Sequence, residues 1–284
     1  MSFRLRMMGP LIMIFLAAIG YPLLSSFALS LTNYKITQRN ATKFVGLAQY
    51  KDVLQDRSYW SSLTVTLIFI ITAVILELAI GLAIAMALQN QKRFRNFTRS
   101  FLLTPMFVTP IAVGLMFRFL LNDQLGVIPA LLNKIGINYD FFGPSRAIYS
   151  IVAIDVWQWT PFMVLLLLAG LESLSKQPFE AARVDGASPF YTFRRVTLPM
   201  LAPILTVAVL IRSLDASKVF EYVYAITRGG PGTQTQTIQY FTYKTGIQFY
   251  RLGQASAMSY LLLLIVISIV VVLFHRIEKV RAME

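Results

Sequence analysis

Six long apolar stretches run along the chain, separated by polar segments of varied length. About 20 apolar residues in an α-helix cross a hydrocarbon core of about 30 Å, and backbone groups in lipid need internal hydrogen bonds. The alternating segments of ~10 residues that build a membrane barrel are absent. The pattern therefore predicts an all-α polytopic membrane protein, a single transmembrane domain over residues 1–284. The six helices are expected at residues 8–31, 63–88, 101–121, 148–171, 200–226 and 255–275.

The first stretch also has features of a signal peptide. Arg4 and Arg6 precede it, and Ser26-Phe27-Ala28 weakly resembles a cleavage site. Because the apolar run is long for such a peptide, a retained helix is the preferred interpretation.

The distribution of Lys and Arg predicts the orientation in the membrane. Residues 1–8, 89–100, 172–199 and 275–284 hold 13 Lys and Arg in 58 positions, whereas the other flanks and loops hold 10 in 82. Cytoplasmic loops carry the excess of basic residues. Both termini are therefore expected inside, and the basic run Lys92, Arg93, Arg95 and Arg99 is the strongest anchor.

Composition narrows the class of protein. The chain is 56% hydrophobic and 14% charged, whereas soluble domains carry about 25% charged residues. The absence of Cys and the single His275 exclude disulfide frameworks, Cys-ligated zinc and His-cluster metal sites. The net charge of +13 indicates contact with lipid headgroups and not with nucleic acid.

No nucleotide or hydrolase motif accompanies these helices. The chain lacks the phosphate-binding sequence G-x-x-x-x-G-K-[ST], H-E-x-x-H and G-x-S-x-G. We expect no cofactor in this chain, and a role in moving a solute without transforming it. Two other classes stay open at this point: an ion-coupled secondary transporter and a membrane enzyme.

The predicted cytoplasmic segment 176–199 is the most informative. Pro178 suits the first turn of a helix, Gly186 can end it in a left-handed conformation, and Ser188-Pro189 is typical of a second helix start. That second helix is expected to run to about Thr197, with Pro199 beginning the next span. The segment predicts two short helices at the membrane surface, and one interpretation is a hairpin that merely joins two spans.

The same segment resembles a known motif. The chain has Glu180-Ala181-Ala182, then Gly186 after three intervening residues and Leu198-Pro199 after eleven more. This pattern is similar to the EAA loop of permeases in binding-protein-dependent ABC importers. Val196 stands where that family often has Ile. Phe44-Val45-Gly46-Leu47 with Tyr50, and Leu214-Asp215-Ala216 leading to residues 227–233, resemble maltose/glycerol-phosphate-type sugar permeases. The Gly229-Gly230-Pro231 segment resembles the first permease of such a pair more than the second.

This resemblance implies a set of partners. A second, similar permease would enclose the pathway with this chain, and two ATPase subunits would hold ATP and Mg beneath it. A binding protein outside a bacterial inner membrane would deliver a carbohydrate. The residues that would couple to the ATPase are Glu180, Ala181, Ala182, Asp185, Gly186, Leu198 and Pro199. Those that would contact the binding protein are Gly229, Gly230, Pro231, Gly232 and Thr233.

Charged residues inside the spans are candidate pathway residues, because such groups are costly in lipid unless they face water or a partner. The predicted pathway set is Asp155, Trp157, Gln158, Trp159, Arg212, Asp215, Lys218 and Glu221. Glu77 is expected deeper than this set, and Arg118 closer to the outer surface.

Two interpretations of this set remain open. Arg212, Asp215 and Lys218 recur every third position, so they are expected to share one helix face. They form either an internal ladder of ion pairs or the polar wall of an outward cavity, with Asp155 and Gln158 across the bundle. Pro161 and Pro203 favour kinks in their helices.

Overall fold

The structure is a computed structural model that describes residues 8–9, 12–89, 91 and 95–281. Lys92 and Arg93 of the predicted basic anchor lie outside these ranges. Among the described residues the backbone is helical, apart from connecting segments and one isolated β-bridge between Thr32 and Phe44.

The α-helices of the described residues are labelled in chain order. They are α1 (Tyr21–Ser30), α2 (Ala48–Gln55), α3 (Arg57–Gln89), α4 (Arg95–Leu103), α5 (Pro110–Leu120), α6 (Val127–Lys134), α7 (Ala147–Ser173), α8 (Gln177–Val184), α9 (Pro189–Thr192), α10 (Leu198–Ala216), α11 (Ile238–Tyr243) and α12 (Leu252–Arg281). Short 3₁₀ or π-helical turns cover Leu16–Gly20, Ile36–Ala41, Thr104–Phe107, Phe193–Thr197, Val223–Thr227 and Lys244–Gln248.

Within the described ranges, five helical segments are long and apolar enough to cross a membrane. They are Ile12–Ser30, Arg57–Gln89, Ala147–Ser173, Pro189–Ala216 and Leu252–Val271. The prediction of an all-α polytopic membrane protein is confirmed. Pro161 and Pro203 lie inside α7 and α10 without ending either helix.

The third predicted span, 101–121, is broken and is not one continuous helix. Phe97–Phe107 and Pro110–Leu120 meet at an angle of 90°. Val108 and Thr109 are extended, with ψ of 136° and 137°. The cause is Pro110, which lacks an N–H group and forces the residue before it out of the α conformation.

The fifth span begins earlier than predicted. The helix runs without interruption from Pro189 through a π-helical turn at Phe193–Thr197 into α10. The expected separate helix that stops near Thr197 was therefore wrong. Because proline has no N–H group, one carbonyl in the preceding turn lacks its helical donor. The π-helical turn at Phe193–Thr197 changes the spacing of the hydrogen bonds there, so the helix continues through Pro199.

The same span also ends earlier, at Ala216 and not at Ile226. The Ser217 hydroxyl donates to the Leu214 carbonyl at 2.7 Å, which competes with helical pairing. Beyond it, the Thr237 hydroxyl donates to the Val219 carbonyl at 3.1 Å. Lys218 and Glu221 therefore lie beyond α10, and the predicted helix face that included Lys218 was wrong.

The chain divides into two compact units. Unit 1 comprises residues up to Ser61 together with Ile238–Ile267, and its core contains Tyr59, Ile238 and Met258. Unit 2 comprises Ser62–Thr237 and Ser268 onward.

The core of unit 2 joins α3, α7 and α10 through Leu88, Leu167 and Leu201. Two glycines let these helices pack closely. A Cβ at Gly81 would lie 2.9 Å from the Met163 side chain, and one at Gly170 would lie 2.9 Å from Leu201 and Ile204. Small residues at such contacts are typical of helix packing in membranes.

Candidate functional site

Arg212 is the centre of a buried cluster of charged side chains in unit 2. Its Nε donates to Glu77 Oε2 at 2.6 Å, and Nη2 donates to Glu77 Oε1 at 2.9 Å. Nη2 also donates to Asp155 Oδ2, and Nη1 donates to Asp215 Oδ2 at 3.0 Å. Arg212, Glu77 and Asp155 have almost no exposed surface, whereas the Asp215 side chain is half exposed.

This arrangement ties three helices together. Glu77 lies on α3, Asp155 on α7, and Arg212 with Asp215 on α10. Guanidinium has five N–H donors and no acceptor, so one arginine can serve several carboxylates at once. The cluster contains three carboxylates and one cation, and Asp215 is its one member that reaches an open surface.

Gln158 anchors the irregular segments around this cluster. Its Nε2 donates to the Val108 carbonyl at 2.6 Å, at the break before α5. The Tyr222 hydroxyl donates to Gln158 Oε1 at 2.5 Å, from the segment that follows α10. The Gln158 side chain is fully buried, and both its amide N–H and its carbonyl oxygen are hydrogen-bonded. It therefore holds the irregular segments before α5 and after α10 in place.

A cavity of about 180 Å³ adjoins the charged cluster. Its lining includes six residues of the predicted pathway set: Asp155, Trp159, Arg212, Asp215, Lys218 and Glu221. The Arg212 guanidinium lies 5.5 Å from the centre of the Trp159 ring. The cavity therefore combines charged groups with the aromatic side chains of Trp159 and Tyr222.

Two residues of the predicted set lie away from this lining. Gln158 is fully buried behind it. Trp157 is 43% exposed and packs edge-on against Phe117 at 5.3 Å.

Two further charged residues of the predicted spans have defined contacts. Glu77, which is not in the predicted pathway set, contacts Arg212 directly. This contact of Glu77 could have been expected, because an acidic residue within a long apolar helix requires a partner. Arg118 belongs elsewhere, since its Nη1 donates to the Ala225 carbonyl at 3.1 Å.

The segment with the EAA pattern forms a short exposed helix with a defined end. Gly186 has a φ of +69°, and its N–H donates to the Arg183 carbonyl at 3.1 Å. The Ala187 N–H donates to the Ala182 carbonyl at 2.9 Å. These two bonds are the Schellman motif, which requires a left-handed residue. The predicted glycine turn is confirmed.

The next helix begins as predicted. Ser188 is its N-cap and accepts from the Tyr191 N–H at 3.3 Å. In this segment Ala182 is buried, Leu198 is half-buried, and the other predicted coupling residues are exposed: Glu180, Ala181, Asp185, Gly186 and Pro199. An apolar surface accompanies them, with Val184 88% and Phe190 71% exposed.

The segment Gly229–Thr233 forms a closed loop with bonded ends. The Thr235 hydroxyl donates to the Gly230 carbonyl at 2.8 Å and pairs with the Thr227 hydroxyl at 2.7 Å. Gly229 and Gly232 have φ of 86° and 59°, which glycine adopts readily. Gly232 and Thr233 are exposed at the tip, and Pro231 is half-buried.

Comparison with known proteins places this geometry in a family. Residues 78–279 match the family described as "Binding-protein-dependent transport system inner membrane component". A probable ABC transporter permease, y4oQ of Sinorhizobium fredii, is 35% identical over 95% of this chain and 88% of its own length. The trehalose/maltose transport system permease MalF of Thermococcus litoralis is 36% identical over 94% of this chain and 90% of its own length.

A solved structure shares the fold. It is a bacterial ABC transporter involved in import of the acidic polysaccharide alginate, with a TM-score of 0.83 at 21% identity over 98% of this chain and 96% of that one. These matches argue against the two classes that the sequence left open, a stand-alone ion-coupled transporter and a membrane enzyme. The chain belongs to the inner-membrane components of binding-protein-dependent transport systems, and it is a multi-pass permease subunit of an ABC importer.

Proposed function

We propose that this chain is the first permease of a pair in a carbohydrate importer, and that the cavity beside Asp215 is part of the sugar pathway. The observation that carries the proposal is the half-exposed Asp215 carboxylate, held by the buried guanidinium of Arg212. Sugar hydroxyls need fixed hydrogen-bond partners, and sugar rings pack on aromatic faces. Asp215 and Trp159 supply these two kinds of contact in one cavity.

The size of the cavity supports a shared pathway. Small-molecule sites commonly enclose about 300–1,000 Å³, whereas this cavity has about 180 Å³. A second permease would therefore complete the site, and this chain would contribute one wall. Similarity to a trehalose/maltose permease supports a carbohydrate as the solute.

The exposed EAA segment supports a contact with an ATPase subunit. Glu180 and Asp185 are exposed near opposite ends of α8, and Val184 and Phe190 expose apolar surface beside them. An apolar centre with polar groups around it is typical of a protein interface. ATP hydrolysis would take place on that partner, with ATP and Mg bound there and no cofactor in this chain.

Alternating access follows from differential binding. A ligand shifts a conformational equilibrium only by its difference in affinity for the two states. The sugar-loaded binding protein would favour the state in which the two ATPases meet. The pathway then opens outward while the sugar is transferred.

The experiment uses this chain with a second permease, an ATPase and a binding protein, which are to be sought among the neighbouring genes. Thermal-shift screening of the binding protein against neutral sugars, polyols and glycerol-linked glycosides identifies the ligand. The reconstituted complex is expected to hydrolyse ATP faster with loaded binding protein than with empty binding protein. Equal rates, or substantial hydrolysis by this chain alone, would contradict the proposal.

A further inference from the structure

Unit 1 contains a polar pocket of about 430 Å³ that the proposed transport site does not use. Three segments form it: the stretch after α1, helix α2 and the beginning of α12. In the predicted orientation this pocket lies on the outer side of the membrane. Polar and charged residues line it: Asn33, Tyr34, Lys35, Gln49, Asp52, Arg251 and Gln254.

The backbone around the pocket is held by direct contacts. The Gly253 N–H donates to the Tyr34 carbonyl at 3.1 Å, and the Ile36 N–H donates to the Tyr250 carbonyl at 3.1 Å. A Cβ at Gly253 would lie 2.2 Å from the Thr32 carbonyl oxygen, so only glycine permits this approach. These contacts fix the distance between the backbone at Lys35 and that at Arg251.

The polar side chains of the pocket are available to a partner. Among the described residues, the side chains of Lys35, Gln49, Asp52, Arg251 and Gln254 make no hydrogen bond or ion pair. Lys35, Asp52 and Arg251 are exposed. Two cations and one carboxylate leave the pocket with one positive charge, which one added carboxylate would neutralise.

The segments of unit 1 that are predicted to lie outside the membrane are also positive. Residues 32–60 carry five Lys and Arg against two Asp, and residues 238–253 carry Lys244 and Arg251 and no acid. The net charge of these segments is therefore +5. A surface of one sign attracts a partner of the opposite sign and orients it during encounter.

Two aromatic residues directly precede Arg251 in the chain. Phe249 and Tyr250 are 52% and 47% exposed. Tyr250 has a φ of +59°, a conformation that is costly for a bulky residue and recurs at functional sites. Exposed aromatic side chains beside charged groups are typical of the residues that anchor protein interfaces.

We propose that this outer pocket is a docking socket for an acidic side chain on the surface of the substrate-binding protein. The proposal rests on the proposed function, since it requires a binding protein, and it adds a contact beyond the predicted loop Gly229–Thr233. Arg251 and Lys35 receive the carboxylate, while Phe249 and Tyr250 pack beside it.

The test measures binding of the loaded binding protein to the whole complex in phosphatidylcholine nanodiscs, which contain no anionic lipid. Arg251→Glu and Lys35→Glu are each expected to raise the Kd about tenfold or more, because a carboxylate then faces a carboxylate. Lys51→Glu is the matched control. It makes the same change in charge on α2 outside the pocket lining, and it is expected to raise the Kd less than about threefold.

The outcomes separate the socket from its alternatives. An unchanged Kd in both pocket variants overturns the proposal, and so does an equal effect of Lys51→Glu, which would indicate general charge alone. A different outcome is that the pocket variants keep their Kd for the loaded binding protein and lose only the binding of phosphatidylglycerol vesicles. In that case the pocket binds a lipid headgroup and the proposal is wrong.

A further measurement keeps this result apart from the proposed function. Basal ATP hydrolysis and complex yield verify that each variant is folded. If loaded binding protein fails to stimulate the unmutated complex, the proposed function itself is wrong. If it stimulates the unmutated complex and the pocket variants equally, only the docking socket is wrong.

Discussion

Arg212 donates to both carboxylate oxygens of Glu77, at 2.6 and 2.9 Å, although the two residues lie 135 positions apart in the sequence. The pair is buried and joins α3 to α10. A buried ion pair adds little stability over apolar residues of the same volume, but loss of one partner leaves a charge uncompensated. Arg212 is the only cation that contacts Glu77, Asp155 and Asp215 among the described residues.

The loss of Arg212 and the loss of Glu77 are therefore expected to differ. Arg212→Met leaves three carboxylates without a cation and should lower stability by about 3–5 kcal/mol, so less folded complex accumulates and the remainder melts earlier. Glu77→Gln keeps a hydrogen-bond acceptor and leaves Asp155 to balance Arg212, so folded complex should persist. Size-exclusion chromatography after heating measures the difference.

Arg118→Met is the control for removing a guanidinium from a span. Arg118 donates to the Ala225 carbonyl and not to a carboxylate. Its loss leaves one acceptor unsatisfied, at a cost of about 1–3 kcal/mol, so the complex should melt earlier than the unmutated one but later than Arg212→Met. An equal thermal midpoint for the two arginine variants would contradict a special role of Arg212.

The sequence predicted those parts of the fold that depend on local chemistry. Apolar length predicted the five long apolar helices of the described residues, with shifted ends, and Gly186 with Ser188 predicted the end of one helix and the start of the next. Pro199 did not end a helix as expected, because a π-helical turn before it adjusted the hydrogen bonding. Such an adjustment depends on the packing of the whole span and leaves no local signal.

The charged cluster could be predicted only in part. Spacing of three residues predicted the contact between Arg212 and Asp215, which the structure contains. Glu77 was left out of the predicted set, because a rise of 1.5 Å per residue gives depth along one helix and does not show which helices pack together. Only the packed bundle shows that α3 presents Glu77 beside Asp155 on α7.

Asp215 provides a test of the sugar pathway. Its side chain is 50% exposed, so Asp215→Asn keeps hydrogen-bonding groups and leaves the buried bonds of Arg212 to Glu77 and Asp155. We expect normal amounts of folded complex, together with at least a severalfold loss of substrate-stimulated ATP hydrolysis and uptake. An oriented charged acceptor contributes about 1.5–3 kcal/mol to a hydrogen bond.

Asp123→Asn is the matched control for that measurement. Asp123 is exposed in the segment between α5 and α6 and does not line the cavity beside Asp215. Normal uptake by both variants would argue against Asp215 in the pathway. Loss of folded complex in Asp215→Asn would instead assign it to the ion-pair ladder.

Gly186 allows a backbone effect to be separated from a steric one. Its φ is +69°, yet no atom lies within 4 Å of a Cβ built at this position. Gly186→Val should therefore disturb the turn only through its backbone preference, at a cost of about 1–2 kcal/mol. Gly186→Asn should be tolerated, because Asn adopts the left-handed conformation more readily.

We expect the two Gly186 variants to differ in coupling to ATP hydrolysis and not in binding of the loaded binding protein. Gly186→Val should reduce uptake and stimulated ATP hydrolysis, while the complex still binds the loaded binding protein. Gly186→Asn should retain most of the uptake. If Val and Asn behave alike, the left-handed turn does not matter for transport.

Glu180 tests whether the exposed helix α8 meets an ATPase subunit. It is solvent-exposed in the first turn of α8, where a negative charge stabilises a helix by about 0.3–1 kcal/mol. Glu180→Lys costs too little to unfold the permease, so any large defect must arise at a partner surface. We expect a weaker association of the ATPase in pull-down assays and a loss of stimulated ATP hydrolysis. Glu180→Gln removes the charge without reversing it. Its ATPase association and stimulated ATP hydrolysis should therefore lie between those of the unmutated complex and those of Glu180→Lys. Unchanged ATPase association and uptake in Glu180→Lys, at normal expression, would count against a coupling role for this residue, whereas restoration by a reversed charge on the ATPase would identify its contact directly.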